Sequence, residues 1–129
     1  MGADKQRSGM DEAMNYPEDH IQIQVARVLD LSGLRWCHVP NEGQRNIVTG
    51  ARLKKKGLKR GVPDVLIFNP NPHGVGLAIE LKAGKKKPTP EQSEWIAELY
   101  KLGWSTAICN TVDAAIDMIA LHYPEKIKR

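Results

Sequence analysis

Residues 61–82, GVPDVLIFNPNPHGVGLAIELK, decide the fold of this chain. Two runs rich in aliphatic and β-branched residues are separated by a turn dense in Asn, Pro and Gly, which predicts a β-hairpin. Asp64, Glu80 and Lys82 are embedded in these runs. Charge in a segment that is otherwise suited to burial is costly unless a cation or a substrate compensates it. The simplest compensation is a divalent cation held by the two acids, with the lysine beside it.

The hairpin predicts its own register. Successive side chains of a strand point to opposite faces, so Glu80 and Lys82 share one face and the aliphatic residues between them share the other. Asp64 lies opposite Glu80 if the numbers of each cross-strand pair sum to 144, and the same register pairs Leu66 with Ala78. A slip of one residue would send the two acids to opposite faces.

Two opposed carboxylates about 4 Å apart repel by roughly 4 kcal/mol at an effective dielectric of about 20. Either one acid stays protonated or a cation lies between them. Oxygen ligands favour a hard ion, so we expect Mg²⁺, with Mn²⁺ as a substitute. The backbone carbonyl of Leu81 is a candidate further ligand. Lys82 would hold the attacking water or neutralise the transition state of phosphodiester hydrolysis.

The chain has 129 residues, of which 41% are hydrophobic, which is enough for one domain with a core of its own. We expect residues 1–16 to be a mobile arm and residues 17–129 a single domain. No apolar run approaches the length of a membrane span, so we expect an intracellular protein. Cys37 and Cys109 lack zinc-ligand spacing and are expected to be buried thiols.

Basic residues bracket the acids in sequence. Phosphate backbones bind basic surfaces, so these residues, together with Asn41, are the candidate DNA contacts. They are Arg45, Arg52, Lys54, Lys55, Lys56, Lys59, Arg60, Lys85, Lys86 and Lys87.

Hydrophobic spacing and turn residues predict the element order α-β-β-β-α-β-α, an α/β fold with one mixed sheet flanked by helices. A helix begins at Pro17, and a long basic loop over 40–61 contains a short helical turn near 47–53. Thr89 to Gln92 has the form of a capping box that opens the fifth element. Its helix is expected to bury Trp95, Ile96, Leu99 and Leu102.

The segments GVPDVLIF and GLAIELKAGKKKPTPEQSEWIAEL resemble the PD-(D/E)xK nuclease superfamily and, within it, the virus-type replication-repair nuclease (VRR-NUC) family of stand-alone phage and bacterial proteins. The resemblance covers roughly residues 20–110 and rests on G-x-P-D, E-x-K and a following P-E-Q. It implies a restriction-endonuclease-like core. It also implies a magnesium-dependent DNA endonuclease in the cytoplasm of a bacterial or phage-infected cell.

By this resemblance Asp64 and Glu80 match metal-binding acids, and Lys82 matches the catalytic lysine. Glu18 matches a helix glutamate that completes the metal shell, through a water; the alternative is a first-turn acid that stabilises the helix dipole. Gln92 matches the glutamine of P-E-Q, either as a catalytic residue or only as a helix cap. Both roles can hold together.

The resemblance further implies a role like that of a Holliday junction resolvase on branched DNA. The two-fold symmetry of a four-way junction favours a homodimer. Flap cleavage, restriction-type cleavage and a non-catalytic nucleic-acid-binding module are the alternatives. No membrane partner and no small-molecule cofactor are expected.

Overall fold

A computed structural model describes residues 17–40 and 47–129; the predicted arm over residues 1–16 lies outside them. Within these residues the chain forms four helices and four strands. In chain order they are α1 (Pro17–Ser32), β1 (Trp36–His38), α2 (Ile47–Lys55), β2 (Val65–Ile67), β3 (Leu77–Leu81), α3 (Pro90–Lys101), β4 (Ser105–Cys109) and α4 (Val112–His122). The predicted α/β class is confirmed. The helical turn expected in the basic loop is a helix of nine residues.

The four strands form one mixed sheet in the order β1-β2-β3-β4. β1, β2 and β3 pair antiparallel, and β4 pairs parallel to β3 after the crossover through α3. Leu66 pairs with Ala78 and Val65 with Ile79, so the register expected for the hairpin is confirmed. This register sets Asp64, just before β2, beside the carboxyl end of β3.

One face of the sheet forms the core. Val65, Ile67 and the odd-numbered residues of β3 lie on it, and all of them are almost completely buried. α1 and α4 pack against each other and against β3 on this face. Every residue of β3 is buried, so the opposite face of this strand is covered as well. A charged side chain on that second face is therefore held away from bulk water.

Side-chain caps define the starts of the last two helices. The Thr89 hydroxyl accepts a hydrogen bond from the Gln92 amide, and the Gln92 side chain accepts one from the Thr89 amide, which completes the predicted capping box. Thr111 caps α4 in the same way through the amide of Ala114.

Two burial predictions are wrong. Leu102 is 71% exposed, and Leu99 is the buried residue of α3, with Trp95 and Ile96 only half-buried. Leu102 follows the end of the helix, beyond the turn that faces β4. Cys37 is exposed because it pairs with Leu66 on the sheet face opposite the core, whereas Cys109 is buried as expected. No helix within residues 17–40 and 47–129 is long and apolar enough to cross a membrane.

Gly61, the first residue of G-x-P-D, lies against the start of α3. Its φ angle is +90°, and a Cβ atom added there would lie 2.6 Å from the carbonyl carbon of Glu91 and 2.8 Å from the amide nitrogen of Gln92. Only glycine combines this backbone conformation with so close an approach. The contact fastens the end of the basic segment to the helix that carries Gln92.

We predict that Gly61→Ala destabilises the protein more than Gly57→Ala does. Gly57 has a similar φ of +104° but nothing within 4 Å of an added Cβ, so its substitution should cost only about 1–2 kcal/mol of backbone strain. At Gly61 the overlap with α3 should add about 1–3 kcal/mol. Urea unfolding of both variants measures the difference. Equal costs would show that the contact with α3 does not constrain position 61.

Candidate active site

Asp64 is fixed at the end of the hairpin by backbone contacts on both sides. The amide of Leu81 donates a 2.7 Å hydrogen bond to Asp64 Oδ2. The Asp64 carbonyl accepts from the amide of Val39 at 2.9 Å and faces Nδ1 of His38 at 2.8 Å. Because a carbonyl only accepts, this His38 nitrogen carries the proton. The carboxylate therefore has a set position beside β3.

Glu80 is the buried acid of the site, with only 1% of its surface exposed. Its Oε1 atom accepts a hydrogen bond from Gln92 Nε2 at 3.2 Å and lies 3.8 Å from Lys82 Nζ. Its Oε2 atom is buried without a donor in the described residues, apart from the hydrogen bond that a protonated carboxyl would form between Glu80 and Asp64. The carboxylate of Asp64 can pair with Glu80 only while one of the two acids carries a proton.

This environment disfavours a charged Glu80. Burial raises the pKa of the Glu80 carboxyl to about 9, and the neighbouring Asp64 carboxyl adds to the rise. The ammonium of Lys82 lowers it, and Glu18 raises it by the smallest contribution. The ammonium of Lys82, 3.8 Å from the Glu80 carboxyl, thus does not offset the rise in the Glu80 pKa that burial and the Asp64 carboxyl cause. A cation is the partner that would let both carboxylates ionise.

Gln92 joins the helix start to the acid. Its Oε1 atom accepts from the Thr89 amide at 2.8 Å, and its Nε2 atom donates to Glu80. The two alternatives for this residue are therefore compatible, because one amide side chain makes both the cap and the contact with the site.

Glu18 does not form a cluster of metal-binding side chains with Asp64 and Glu80 in the described residues. Its Oε1 atom is 3.9 Å from Lys86 Nζ, and both side chains are partly exposed. No group of three or more His, Cys, Asp or Glu side chains within residues 17–40 and 47–129 is arranged to hold a metal ion. Asp64 and Glu80 are thus two protein carboxylates without a third.

Two carboxylates nevertheless fit a magnesium ion. Mg²⁺ commonly binds one or two protein carboxylates and fills its other positions with waters and substrate phosphate oxygens. The Glu80 oxygen without a donor and the raised pKa of this carboxyl both indicate a place for positive charge. The Leu81 backbone adjoins the same carboxylate through its amide, and its carbonyl stays a predicted ligand.

The predicted basic contacts that the structure describes are all exposed to solvent. Arg52, Lys54 and Lys55 lie in the last turn of α2, a helix with no buried residue. Lys56, Lys59 and Arg60 follow it, and Lys85 to Lys87 lie in the loop between Lys82 and α3. Asn41 and Arg45 lie outside the described residues.

One buried polar side chain on α1 was not predicted. Gln22 lies on α1, one helical turn after Glu18, and both polar atoms of its amide are buried without a hydrogen-bond partner in the described parts of the chain. The spacing in the sequence could have indicated this residue, because Gln22 is four residues after Glu18 and residues four apart share a helix face.

Comparisons with known proteins agree on one family. The model of the VRR-NUC domain matches residues 16–113. A solved structure described as a VRR-NUC domain protein is similar over 83% of this chain and 88% of its own, with 26% identity and a TM-score of 0.67. A second, described as a VRR-NUC domain, is 23% identical over 82% of this chain and 96% of its own, with a TM-score of 0.53, and supports the fold. No curated protein matches the chain.

We predict that the metal-free protein loses stability as the pH rises. The pKa of Glu80 is raised from 4.5 to about 9 by folding. A carboxyl with a raised pKa contributes most stability below its unfolded pKa, and the contribution is lost as the pH climbs to the folded value. Melting temperatures measured in EDTA should therefore fall between about pH 5 and pH 9, and added Mg²⁺ should reverse much of the fall.

Glu80→Gln is the control for this pH dependence, because an amide does not titrate. Its melting temperature should change less over the same range and should respond little to Mg²⁺. A wild-type profile in EDTA that matches that of Glu80→Gln would contradict the raised pKa.

Proposed function

The chain belongs to the VRR-NUC family and is a nuclease of the PD-(D/E)xK type; from this premise we propose that it is a metal-dependent, structure-selective endonuclease that hydrolyses phosphodiester bonds in branched DNA. We favour a role like that of a Holliday junction resolvase. The observation that carries the proposal is the pairing of Asp64 with buried Glu80 beside Lys82, in the family's G-x-P-D and E-x-K positions.

In this proposal Asp64, Glu80 and the carbonyl of Leu81 would hold Mg²⁺, and Glu18 would bind it through a water. The family is generally dependent on divalent metals. The chemistry that the ion would supply is the acidification of a water and the compensation of charge on the phosphoryl oxygens. Mn²⁺ can substitute, because it accepts the same oxygen ligands.

Lys82 and Gln92 prepare the site for the reaction. Lys82 lies on the same strand face as Glu80, so its ammonium can orient the attacking water or neutralise charge that develops at phosphorus. Gln92 holds the Glu80 carboxylate in place by its hydrogen bond to Oε1. Each role is worth most in a site with little water, and β3 is buried along its whole length.

The exposed basic residues suit the DNA backbone. The segment from α2 to Gly61 contains no acidic residue. Its basic residues are Arg52, Lys54, Lys55, Lys56, Lys59 and Arg60. Gly61 fastens its end to the start of α3, next to Gln92. Asn41, Arg45 and Lys85 to Lys87 complete the proposed contact set. Such contacts position the duplex without reading its bases, so selectivity would come from DNA shape.

We propose that two copies act together, because a four-way junction has two-fold symmetry and needs paired cuts. In this proposal, exposed apolar side chains just before β3, at the end of α3 and on α4 form the surface for the second copy. Val75, Tyr100, Leu102 and Leu121 are each more than half exposed, and the Tyr100 and Leu121 side chains line one shallow cleft. A mass in solution twice the 14.4 kDa of the chain would support a dimer; a monomer at micromolar concentration would contradict it.

The decisive experiment compares cleavage of a four-way junction, flaps and linear duplex in Mg²⁺, Mn²⁺ or EDTA. We expect the wild type to cut branched DNA only with a divalent ion. Lys82→Met should retain binding but cut about 100- to 1,000-fold more slowly, because a charge-stabilising group is lost. Lys101→Met removes a lysine that is exposed and contacts Glu98, and should cut normally.

The outcomes separate the alternatives. Preference for flaps would indicate a flap nuclease, and equal cutting of linear duplex at one sequence would indicate a restriction-type enzyme. If the protein binds DNA but does not cut it with any of the ions, the chain is a non-catalytic nucleic-acid-binding module.

We predict that changing Lys54, Lys55 and Lys56 together to alanine weakens DNA binding regardless of sequence. If each lysine neutralises one phosphate, the slope of log K against log salt should decrease by about 2–3. The control triple changes Lys101, Lys126 and Lys128, which are exposed and remove the same charge. A salt slope that falls equally in both triples would show a general charge effect and no contact from this segment.

A further inference from the structure

Within residues 17–40 and 47–129, three buried side-chain atoms on α1 and β3 have no hydrogen-bond partner. They are Oε2 of Glu80 and both polar atoms of the Gln22 amide. Burying an amide or a carboxylate oxygen without a hydrogen bond costs about 1–3 kcal/mol for each group. Native proteins keep few such groups, and each calls for an explanation, such as a ligand that supplies the missing partner.

The path of the chain brings Glu18, at the start of α1, to the end of the sheet where the acids lie. Glu18 and Gln22 lie one turn apart on α1, which packs on the core face of β3. Glu18 contacts Lys86, in the loop that follows Lys82, and its charge raises the pKa of Glu80. The amino-terminal turns of α1 therefore adjoin the carboxyl end of β3.

The side of the helix on which Gln22 lies is also informative. Ile21, Val25 and Leu29 form the buried stripe of α1, and Gln22 lies at its edge. Two turns further along, and about 80° around the helix from Gln22 toward solvent, Asp30 accepts a hydrogen bond from Trp36 of β1. That flank of α1 thus adjoins β1, which pairs with β2, and β2 begins directly after Asp64.

The chemistry of the missing partner is constrained. A primary amide offers donors at nitrogen and an acceptor at oxygen, so its partner must both donate and accept. Water does both. A magnesium ion bound by only two protein carboxylates retains several waters, and these need hydrogen-bond partners in the protein.

We propose that Gln22 is a positioning residue of the cation site, and that its amide binds hydration water of the ion held by Asp64 and Glu80. This inference rests on the metal-dependent function proposed above. It assigns Gln22 a partner that arrives with the ion, so its buried amide is unsatisfied only in the metal-free protein. Gln22 acts on the reaction through the ion and the water, without touching DNA.

The test compares Gln22→Leu with the wild type by thermal unfolding in EDTA and across a Mg²⁺ titration, with Ca²⁺ as a second, oxygen-binding ion. Leucine has a similar size and no polar atoms. It should raise the melting temperature in EDTA, because the unsatisfied amide is gone. The ion concentration for half-maximal stabilisation should rise about tenfold or more, as for other residues that support metal ligands.

The control is Gln24→Leu on the same helix. Gln24 is partly exposed and lies off the stripe that carries Glu18 and Gln22, so its change should leave the half-maximal Mg²⁺ concentration unaltered. Gln22→Glu adds a third acid, which should restore or strengthen ion binding while lowering stability in EDTA. If the role of Gln22 were purely structural, Gln22→Leu would instead lower the melting temperature by the same amount with and without the ion.

The results distinguish this inference from the function on which it rests. If Gln22→Leu lowers the melting temperature in EDTA or binds Mg²⁺ as tightly as the wild type, while Glu80→Gln does not bind the ion, the role of Gln22 is overturned and the metal site stands. If the wild type shows no stabilisation by either ion and no metal-dependent cleavage, both proposals fail together.

Discussion

The burial of a carboxyl group in the third strand is the constraint on which the rest of the structure depends. Glu80 lies in a strand with every residue buried, next to a second acid. A carboxylate there is unstable by itself, and the structure surrounds it with the donors of Gln92 and the charge of Lys82. These partners satisfy one oxygen and leave the other without a donor in the described chain. The residual demand for positive charge explains the metal dependence of the proposed chemistry.

The acids of the candidate site and the basic side chains of the proposed DNA contacts lie in different environments. The hairpin, Gln92 and the backbone amide of Leu81 hold the buried Glu80 and the partly buried Asp64 in fixed positions. The basic side chains from α2 to Gly61 and after Lys82 are exposed, which is what the proposed contacts with DNA phosphates require. Gly61 connects the two parts, since its close approach to α3 ends the basic segment beside the helix that positions Glu80.

Local patterns predicted most of the fold and the centre of the site. The alternation of residues and the turn between the strands set the hairpin register, and the capping box was readable because its four residues are consecutive. Burial that depends on what a neighbouring element covers was less predictable. Leu102 and Cys37 are exposed because no element among residues 17–40 and 47–129 covers the end of α3 or the face of β1 on which Cys37 lies. The unsatisfied state of Gln22 and the contact of Glu18 with Lys86 likewise depend on how α1 meets a distant loop.

The amide of Gln92 restricts which sequences this site can tolerate. A capping box accepts either Glu or Gln at its third helical position, since both side chains can accept from the Thr89 amide. Only Gln also has a donor for Glu80, and Glu would bring a further negative charge against a carboxyl that is already hard to ionise. A substitution that is conservative by the rules of helix formation would therefore be disruptive here. We therefore expect position 92 to tolerate fewer residue types than is usual for a partly exposed position.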